Sequence, residues 1–328
     1  MVLDTGRSDL VYAVTFHPDG RHLLGGGDGG IRRWRVGDGQ EVGNRTRMAR
    51  GLRVICVSRD HKWTVCGTTN GVSVWDGEMN KKVFDVQDEK RVWVVDISPD
   101  STRLATGTFG DASIWSLASG ERLVGPLKHN DDVNGIRFSP TGDHIATSYW
   151  AGETTCIFDS HTGDKLVSIR VDIPSWLGTP LAWSNDARQI FAASRDNRIR
   201  AFDVSTGSQL AESQVLHDGS DDTPSIALAP NGKFIATFAS HSISLLDTST
   251  LAHIDIDSVI EDSEQIRSIS ISPDNSYLAA GQYDGKIVIH NLSKILPNSY
   301  GPFHVSIYAL IDLGCRIVPL YHSHLQTM

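Results

Sequence analysis

One turn signature recurs along this chain at nearly constant spacing, and few folds accommodate that. It falls at Pro18, Arg59, Pro99, Pro140, Asn185, Pro230 and Pro273, at intervals of 41, 40, 41, 45, 45 and 43 residues. A second landmark, the end of a later apolar run, falls at Trp34, Trp75, Trp115, Phe158, Phe202, Leu246 and His290, at intervals of 41, 40, 43, 44, 44 and 44. Two landmarks keeping one phase over seven units are a property of the whole chain rather than of one common turn. The unit itself is clearest at residues 11–36. Tyr12, Val14 and Phe16 alternate with smaller residues, and His17-Pro18-Asp19-Gly20 turns the chain. A second run occupies 21–25, Asp28-Gly29 turns again, and 31–36 carries Trp34. Period-2 alternation between Pro-Asp-Gly and Asp-Gly punctuation predicts three antiparallel strands. Such a unit cannot bury both of its faces alone, so its worth depends on stacking against its relatives.

A period of 40–45 residues with four strands per unit predicts an all-β chain, a seven-bladed β-propeller of four-stranded antiparallel blades. The chain resembles the WD-repeat family over about residues 2–293. The turn after the first strand appears as His17-Pro18-Asp19-Gly20, Ser98-Pro99-Asp100, Ser139-Pro140-Thr141-Gly142, Ala229-Pro230-Asn231-Gly232 and Ser272-Pro273-Asp274. The hairpin acid or amide appears at Asp28, Asn70, Asp111, Asp196 and Asp284, and the closing pair at Trp75-Asp76, Phe158-Asp159, Phe202-Asp203 and Leu246-Asp247. The family's Gly-His element is nearly absent, with His129 its best remnant. The resemblance implies a buried Ser/Thr–His–Asp–Trp network within a blade, and no repeat holds all four members. The unit containing Trp115 offers Asp111 and Thr106 without the His. Each missing partner removes about 1 kcal/mol of net hydrogen bonding, so the blades are expected to rely on apolar packing.

Fourth, outer strands are expected at 40–47, 80–86, 121–127, 164–171, 208–215 and 250–256. The seventh must come from Val2 to Asp4 or from the chain after Leu292, because an open ring leaves a sheet edge unpaired. A single propeller is therefore assigned to 1–294 and an irregular tail to 295–328. Two readings of the tail stay open. It is a closing strand with an appendage, or it is read-through of an unspliced intron, since a common splice donor translates as Val-Ser and Val305-Ser306 stands where the pattern stops.

Lys and Arg number 30 against 39 Asp and Glu, a net charge of -9, so nucleic acid and anionic membrane are not the expected partners. A local basic run, Arg32, Arg33, Arg35, Arg45, Arg47, Arg50 and Arg53, reads as a solvated blade edge, with weak RNA binding as the alternative. Cys56, Cys66, Cys156 and Cys315 show no metal spacing. Cys56 and Cys66 flank His61 symmetrically, and reduced buried thiols are expected there rather than a disulfide. The start has no apolar leader run, and the apolar stretch 303–320 is broken by Asp312 and Arg316, so a cytoplasmic or nuclear setting is expected.

The motifs of several catalytic classes are missing: there is no P-loop, G-x-S-x-G, HExxH or EF-hand loop. The run Gly25 to Gly30 lies between two strands, with no helix N-terminus to offer a phosphate, and reads as a hairpin. The thirteen histidines show no pair at ligand spacing, with His322 and His324 in the tail, and no metal or cofactor is expected. Asp131-Asp132 and Asp221-Asp222 read as turn acids. What remains is a surface. The resemblance places the hairpins between second and third strands on the narrow face, together with the loops entering first strands, and implies that this face binds partner peptides or domains. Carried over by position, the hairpins present Phe109, Trp150, Arg195, His241 and Tyr283, and the loops add Tyr12, Trp93, Asn134 and Trp176. Aromatics and Arg dominate interface hot spots because they bury much area per ordered side chain. Trp150 is the sharpest case, since a turn gains nothing from an indole in water; its alternative role is packing on a neighbouring blade, and Trp93 has the alternative of a core position. No blade places Arg two residues after a closing Trp-Asp, so a ubiquitin-ligase substrate receptor loses support. The expected function is a non-catalytic scaffold or recognition module with an unidentified protein or peptide partner, the sensor module of a larger signalling NTPase being a variant of it. The rival is a hydrolase or lactonase with a site at the channel mouth, which needs three or more convergent carboxylates or imidazoles.

Overall fold

The computed structural model describes residues 1–5, 10–48, 51–68, 71–86, 91–149, 154–172, 180–216, 225–255 and 260–300. Strands form where alternation and turns place them. In the first unit they are Ala13–Phe16, His22–Gly27 and Gly30–Arg35, paired antiparallel in chain order. The glycine run is a hairpin: Gly27 pairs with Gly30 across Asp28-Gly29. In the second unit Leu52–Val57, Trp63–Thr68, Gly71–Asp76 and Lys82–Asp85 form a four-stranded sheet. The chain is an all-β propeller.

Seven separate four-stranded sheets are not what the strands form. The described strands fall into six sheets, one of six strands, one of three and four of four. The six-stranded sheet arises from two long strands. Arg122–Phe138 pairs with Arg103–Ser116 at its start (Ala112↔Leu127) and with His144–Tyr149 at its end (Ile136↔Thr147), so two units share one continuous strand. Arg103–Ser116 folds back on itself, because the Leu117 N–H donates to the Thr102 carbonyl at 2.9 Å. The three-stranded sheet belongs to the first unit, whose expected outer strand at 40–47 is reduced to the isolated bridges Ile31↔Thr46 and Trp34↔Glu41. The stretch 250–256 likewise supplies one bridge, Leu246↔His253, and the paired outer strand is Ile260–Glu261. Lys82–Asp85, Lys165–Arg170 and Gln209–Glu212 lie where outer strands are expected.

The N-terminus supplies the missing strand of the last sheet. Val2–Asp4 pairs antiparallel with Lys286–Asn291, with Val2↔Val288, Leu3↔Ile287 and Asp4↔Lys286 in register. The chain after Leu292 docks instead: Leu296 is buried, and the Tyr300 hydroxyl donates to Asp247 Oδ2 at 2.7 Å. The read-through proposal for the tail concerns residues beyond 300, outside the described residues.

Second strands have both faces covered, which explains their unbroken burial. Phe234–Ala239 is buried at every position, and His22–Gly27 at all but the first. Buried apolar side chains gather into seven clusters, each shared by neighbouring units. The seam cluster joins Val11, Val14 and Leu23 of the first unit to Leu3, Ala279, Ile287 and Ile289 of the last sheet. Glycine sets the spacing there: a Cβ on Gly25 would lie 2.7 Å from Ile287 Cδ1, and one on Gly281 2.6 Å from Val11 Cγ1. A larger residue at either position would force these side chains to shift in a packed seam.

The turns after the first strands share one device. Ser58, Ser98, Ser139, Ser184 and Ser272 each accept the backbone N–H five residues on, at 2.9–3.1 Å. Four of these hydroxyls donate to an Asp two residues on: Asp60, Asp100, Asp186 and Asp274. The partial blade network is also present. Trp115 Nε1 donates to Thr106 Oγ1 at 2.9 Å, and Thr108 Oγ1 donates to Asp111 Oδ1 at 2.7 Å. His129 serves the next unit, 3.2 Å from Thr147 Oγ1 and edge-on to Phe158, which stands where the Trp would be.

Candidate functional site, the channel mouth

First strands from the successive units surround a central channel of about 1330 Å³. Its wall follows the repeat. The position three before the turn landmark carries Thr15, Cys56, Asp96, Arg137, Ala182, Ala227 and Ser270, all lining the channel. One ion pair crosses this level, Arg137 Nη1 to Asp96 Oδ1 at 3.1 Å, and Asp96 Oδ2 accepts the Phe138 N–H at 2.8 Å. Burial pushes the Asp96 carboxyl above its usual range, against the pull of the Arg137 guanidinium. Burial also pushes the Cys56 thiol up to about 12, and Cys66 higher still. Both are free, as is Cys156, and Cys66 pairs with Ile55 rather than Cys56.

Six residues before the landmark, the first strands reach one mouth of the channel. The residues there are Tyr12, Arg53, Trp93, Asn134 and Arg267, with the two remaining repeats outside the described residues. Three guanidiniums stack on three aromatic rings. Arg53 lies 4.4 Å from the Tyr12 ring centre, Arg91 3.9 Å from Trp93, and Arg267 4.7 Å from Tyr283. Each Arg comes from a different unit, and each stack fixes a flat cation beside an apolar plate. Arg53 Nε, Trp93 Nε1, Arg267 Nε and Asp132 Oδ1 are buried without a hydrogen-bond partner among the described residues. Such groups are costly to leave unpaired and are explained where a ligand supplies the partner.

The expected surface residues are distributed as follows. Tyr12, Trp93 and Asn134 stand together at the mouth, where the Ser148 hydroxyl donates to Asn134 Oδ1 at 2.9 Å. Tyr283, 46% exposed, joins them through Arg267. Trp93 is half-buried on the channel wall, not in the core. Phe109, Arg195 and His241 lie on hairpins away from the channel lining. Phe109 is 62% exposed, Arg195 pairs with Asp172 at 3.4 Å, and the His241 carbonyl accepts the Asp262 N–H. Trp150 and Trp176 lie outside the described residues. Sequence reading missed Arg53, Arg91 and Arg267 as site residues. The signal was available for two of them, since Arg53 and Arg267 hold the same repeat position as Tyr12 and Trp93.

The basic run divides in space. Arg32 pairs with Glu41 at 3.3 Å, Arg33 with Glu78, and Arg35 with Asp38 at 2.6 Å, while Arg53 turns into the mouth. Among the described residues, these four do not form a single cationic strip for a nucleic-acid backbone. The described channel lining holds two carboxylates, Asp96 and Asp132, and no imidazole. Among the described residues no helix is long and apolar enough to cross a membrane.

Comparison with known proteins agrees with the repeat geometry. The family described as "WD domain, G-beta repeat" matches residues 2–35, 122–159 and 257–291. The chain carries WD repeats in these three segments. This WD-repeat chain is 30% identical over 162 residues to the small ribosomal subunit protein RACK1 of Caenorhabditis elegans, covering 45% of this chain and 48% of that one. It is 29% identical over 153 residues to the Drosophila melanogaster protein of the same name, covering 44% and 47%. It is 25% identical over 202 residues to eukaryotic translation initiation factor 3 subunit I of Emericella nidulans, covering 58% and 59%. The chain spans about half the length of the curated relatives it matches. The first matched segment contains the closing strand and the whole first hairpin pair, and the last contains the strand that receives it.

Proposed function

We propose that this WD-repeat protein is a non-catalytic interaction module that holds an acidic segment of a partner protein at the channel mouth. The observation that carries the reading is the ring of three Arg–aromatic stacks, Arg53/Tyr12, Arg91/Trp93 and Arg267/Tyr283. Cations held flat against rings are less hydrated and already ordered, so a carboxylate gains charge-assisted hydrogen bonds at small entropic cost. Trp93 and Tyr283 supply the apolar plates a peptide needs beside the charge. Asn134 and the unpartnered Trp93 Nε1 offer polar contacts to the peptide backbone.

The ring beneath the mouth is proposed to have seven blades over residues 1–294. Seven apolar clusters between neighbouring units support this, as does the back-folding of Arg103–Ser116, which divides the six-stranded sheet into two blades of four strand segments. Relatives named as a ribosomal subunit protein and an initiation-factor subunit are components of assemblies, which supports a cytoplasmic setting and a place within a multi-protein complex.

The test is binding of fluorescent peptides graded in Asp and Glu content to the whole chain, wild type against Arg53→Glu with Arg267→Glu. Acidic peptides are expected to bind best, to weaken steeply with added salt, and to lose at least about tenfold in affinity in the double variant, as for buried charge pairs. Equal binding of acidic and neutral peptides, or no effect of the double variant, would refute the acidic specificity. Affinity capture from native cells with Trp93→Ala then reads the protein partners; recovery of every partner at wild-type levels would remove the mouth from the interface.

A further inference from the structure

At the opposite end of the first strand, one turn departs from the device shared by its relatives. Five other units place a Ser at this point, and a sixth has Ala229. The first unit places His17. The position five residues on is Trp63, Arg103, His144, Gln189, Phe234 and Tyr277 elsewhere, and here it is His22. Between them Asp19 keeps the turn closed by accepting the Arg21 and His22 N–H groups on Oδ1, at 2.7 and 3.0 Å. Its second oxygen is thereby left for the two imidazoles. His17 Nδ1 lies 3.0 Å and His22 Nδ1 2.7 Å from Asp19 Oδ2, and the three atoms lie within 4.8 Å of one another. The Asp19 N–H also stands 3.3 Å from His17 Nδ1.

Two ring nitrogens against one carboxylate oxygen require a proton or a metal ion in each gap. His17 is 3% exposed, so its ring is fixed against the turn. Two imidazole nitrogens and a carboxylate oxygen converging within 4.8 Å are the donor set of a borderline cation. The next turn adds a third ring: His61, held at φ 65°, stands edge-on to His17 with centroids 4.9 Å apart. The spacing His-x-Asp-x-x-His was not read as a ligand pattern in the sequence, because its residues converge only through the turn and the hairpin that follows.

We propose that His17, Asp19 and His22 form a zinc site, with a water or His61 completing the coordination. The cation would replace the proton in each imidazole–carboxylate contact. It would tie the first strand to the second at the seam where the ring closes. Nothing in this site touches the channel mouth, so it stands independently of the proposed partner binding.

Calorimetric titration of zinc sulfate into the whole chain, freed of metal with a chelator, tests the proposal. The comparison is with His17→Ser and His22→Gln, which install residues that the same turn carries in other units, so folding is retained. One zinc per chain is expected in wild type, with affinity at least about tenfold weaker in either variant, since even outer-shell changes at zinc sites cost 10–100-fold. Thermal melting should rise with zinc in wild type and stay flat in the double variant. Equal stoichiometry and affinity in wild type and double variant, or no binding by wild type, would overturn the site and leave a hydrogen-bonded turn. His61→Ala then separates the two coordination sets: a further loss assigns it as ligand, and no change assigns water.

Discussion

At the scale of single residues, the molecule is held by a few polar contacts placed where apolar packing cannot discriminate. The indole N–H of Trp115 is one. Thr106, fully buried, is its acceptor at 2.9 Å. Thr106→Val keeps the shape and strands the donor, so a loss of about 2 kcal/mol in urea unfolding is expected. Asp247 carries another load. Burial pulls its carboxyl up, but hydrogen bonds from Ser249, Thr250 and the Tyr300 hydroxyl outweigh this and hold it at about 2. A folded pKa below the unfolded one contributes stability that is present above pH of about 4 and lost as pH falls through about 2. With solvent screening the contribution is about 1 kcal/mol at neutral pH. Asp247→Asn should therefore be less stable than wild type at pH 7, and the two should converge by about pH 2 in denaturant midpoints. The Arg side chains at the mouth show where reading by residue type stops. Arg53 stands in a basic run, and only its register, six before the turn landmark, separates it from Arg33 and Arg35 on the outer edge.

At the scale of elements, the turn chemistry was the most legible part. Pro, Asp and Gly at phase-locked positions impose chain reversals whatever packs around them, so the three inner strands of each unit are found where expected. Outer strands are weaker, for a physical reason. They pair on one side only and carry exposed residues such as Val83, Leu123, Leu166 and Leu210, so apolar alternation does not mark them. Fusion of two units through Arg122–Phe138 was not legible either: the stretch contains Lys128, His129, Asn130, Asp131 and Asp132, which read as a loop but continue the pairing as Phe109↔Asp132 and Asp111↔Lys128. Channel orientation was hidden because first strands are covered on both sides, and hydropathy does not say which covered side is the channel. The closing strand gives a clear prediction. Leu3 is 3% exposed in the seam cluster. Leu3→Ala should cost about 2 kcal/mol in chemical unfolding, while Val2→Ala, at an exposed site, should stay within about 0.5 kcal/mol. Equal costs for the two would show that the strand is not seated.

At the scale of the whole molecule, stability comes from a circle of similar seams rather than from one centre. Each unit covers its neighbours, and the seam between first and last is closed by three residues. Removing residues 1–5 should therefore do more than subtract one strand. It should expose the edge of Lys286–Asn291, lower the thermal midpoint and promote self-association, measurable together by melting and light scattering. A truncated chain that melts as the wild type does and stays monomeric would mean that the seam holds by side chains alone.

The pairing of Val2 with Val288 also sets a timetable. The two residues are 286 positions apart, and every intervening unit must be made before they meet. At the usual rate of chain synthesis, the first strand waits roughly 15 to 60 s for its partner. Throughout that interval the growing protein is an arc with two raw edges. The first unit, which leaves the ribosome earliest, is the last to be fully covered. Anything that shields Leu3 and Val11 during the wait, whether a chaperone or a transient fold of the arc, therefore bears on how much of the protein is ever completed.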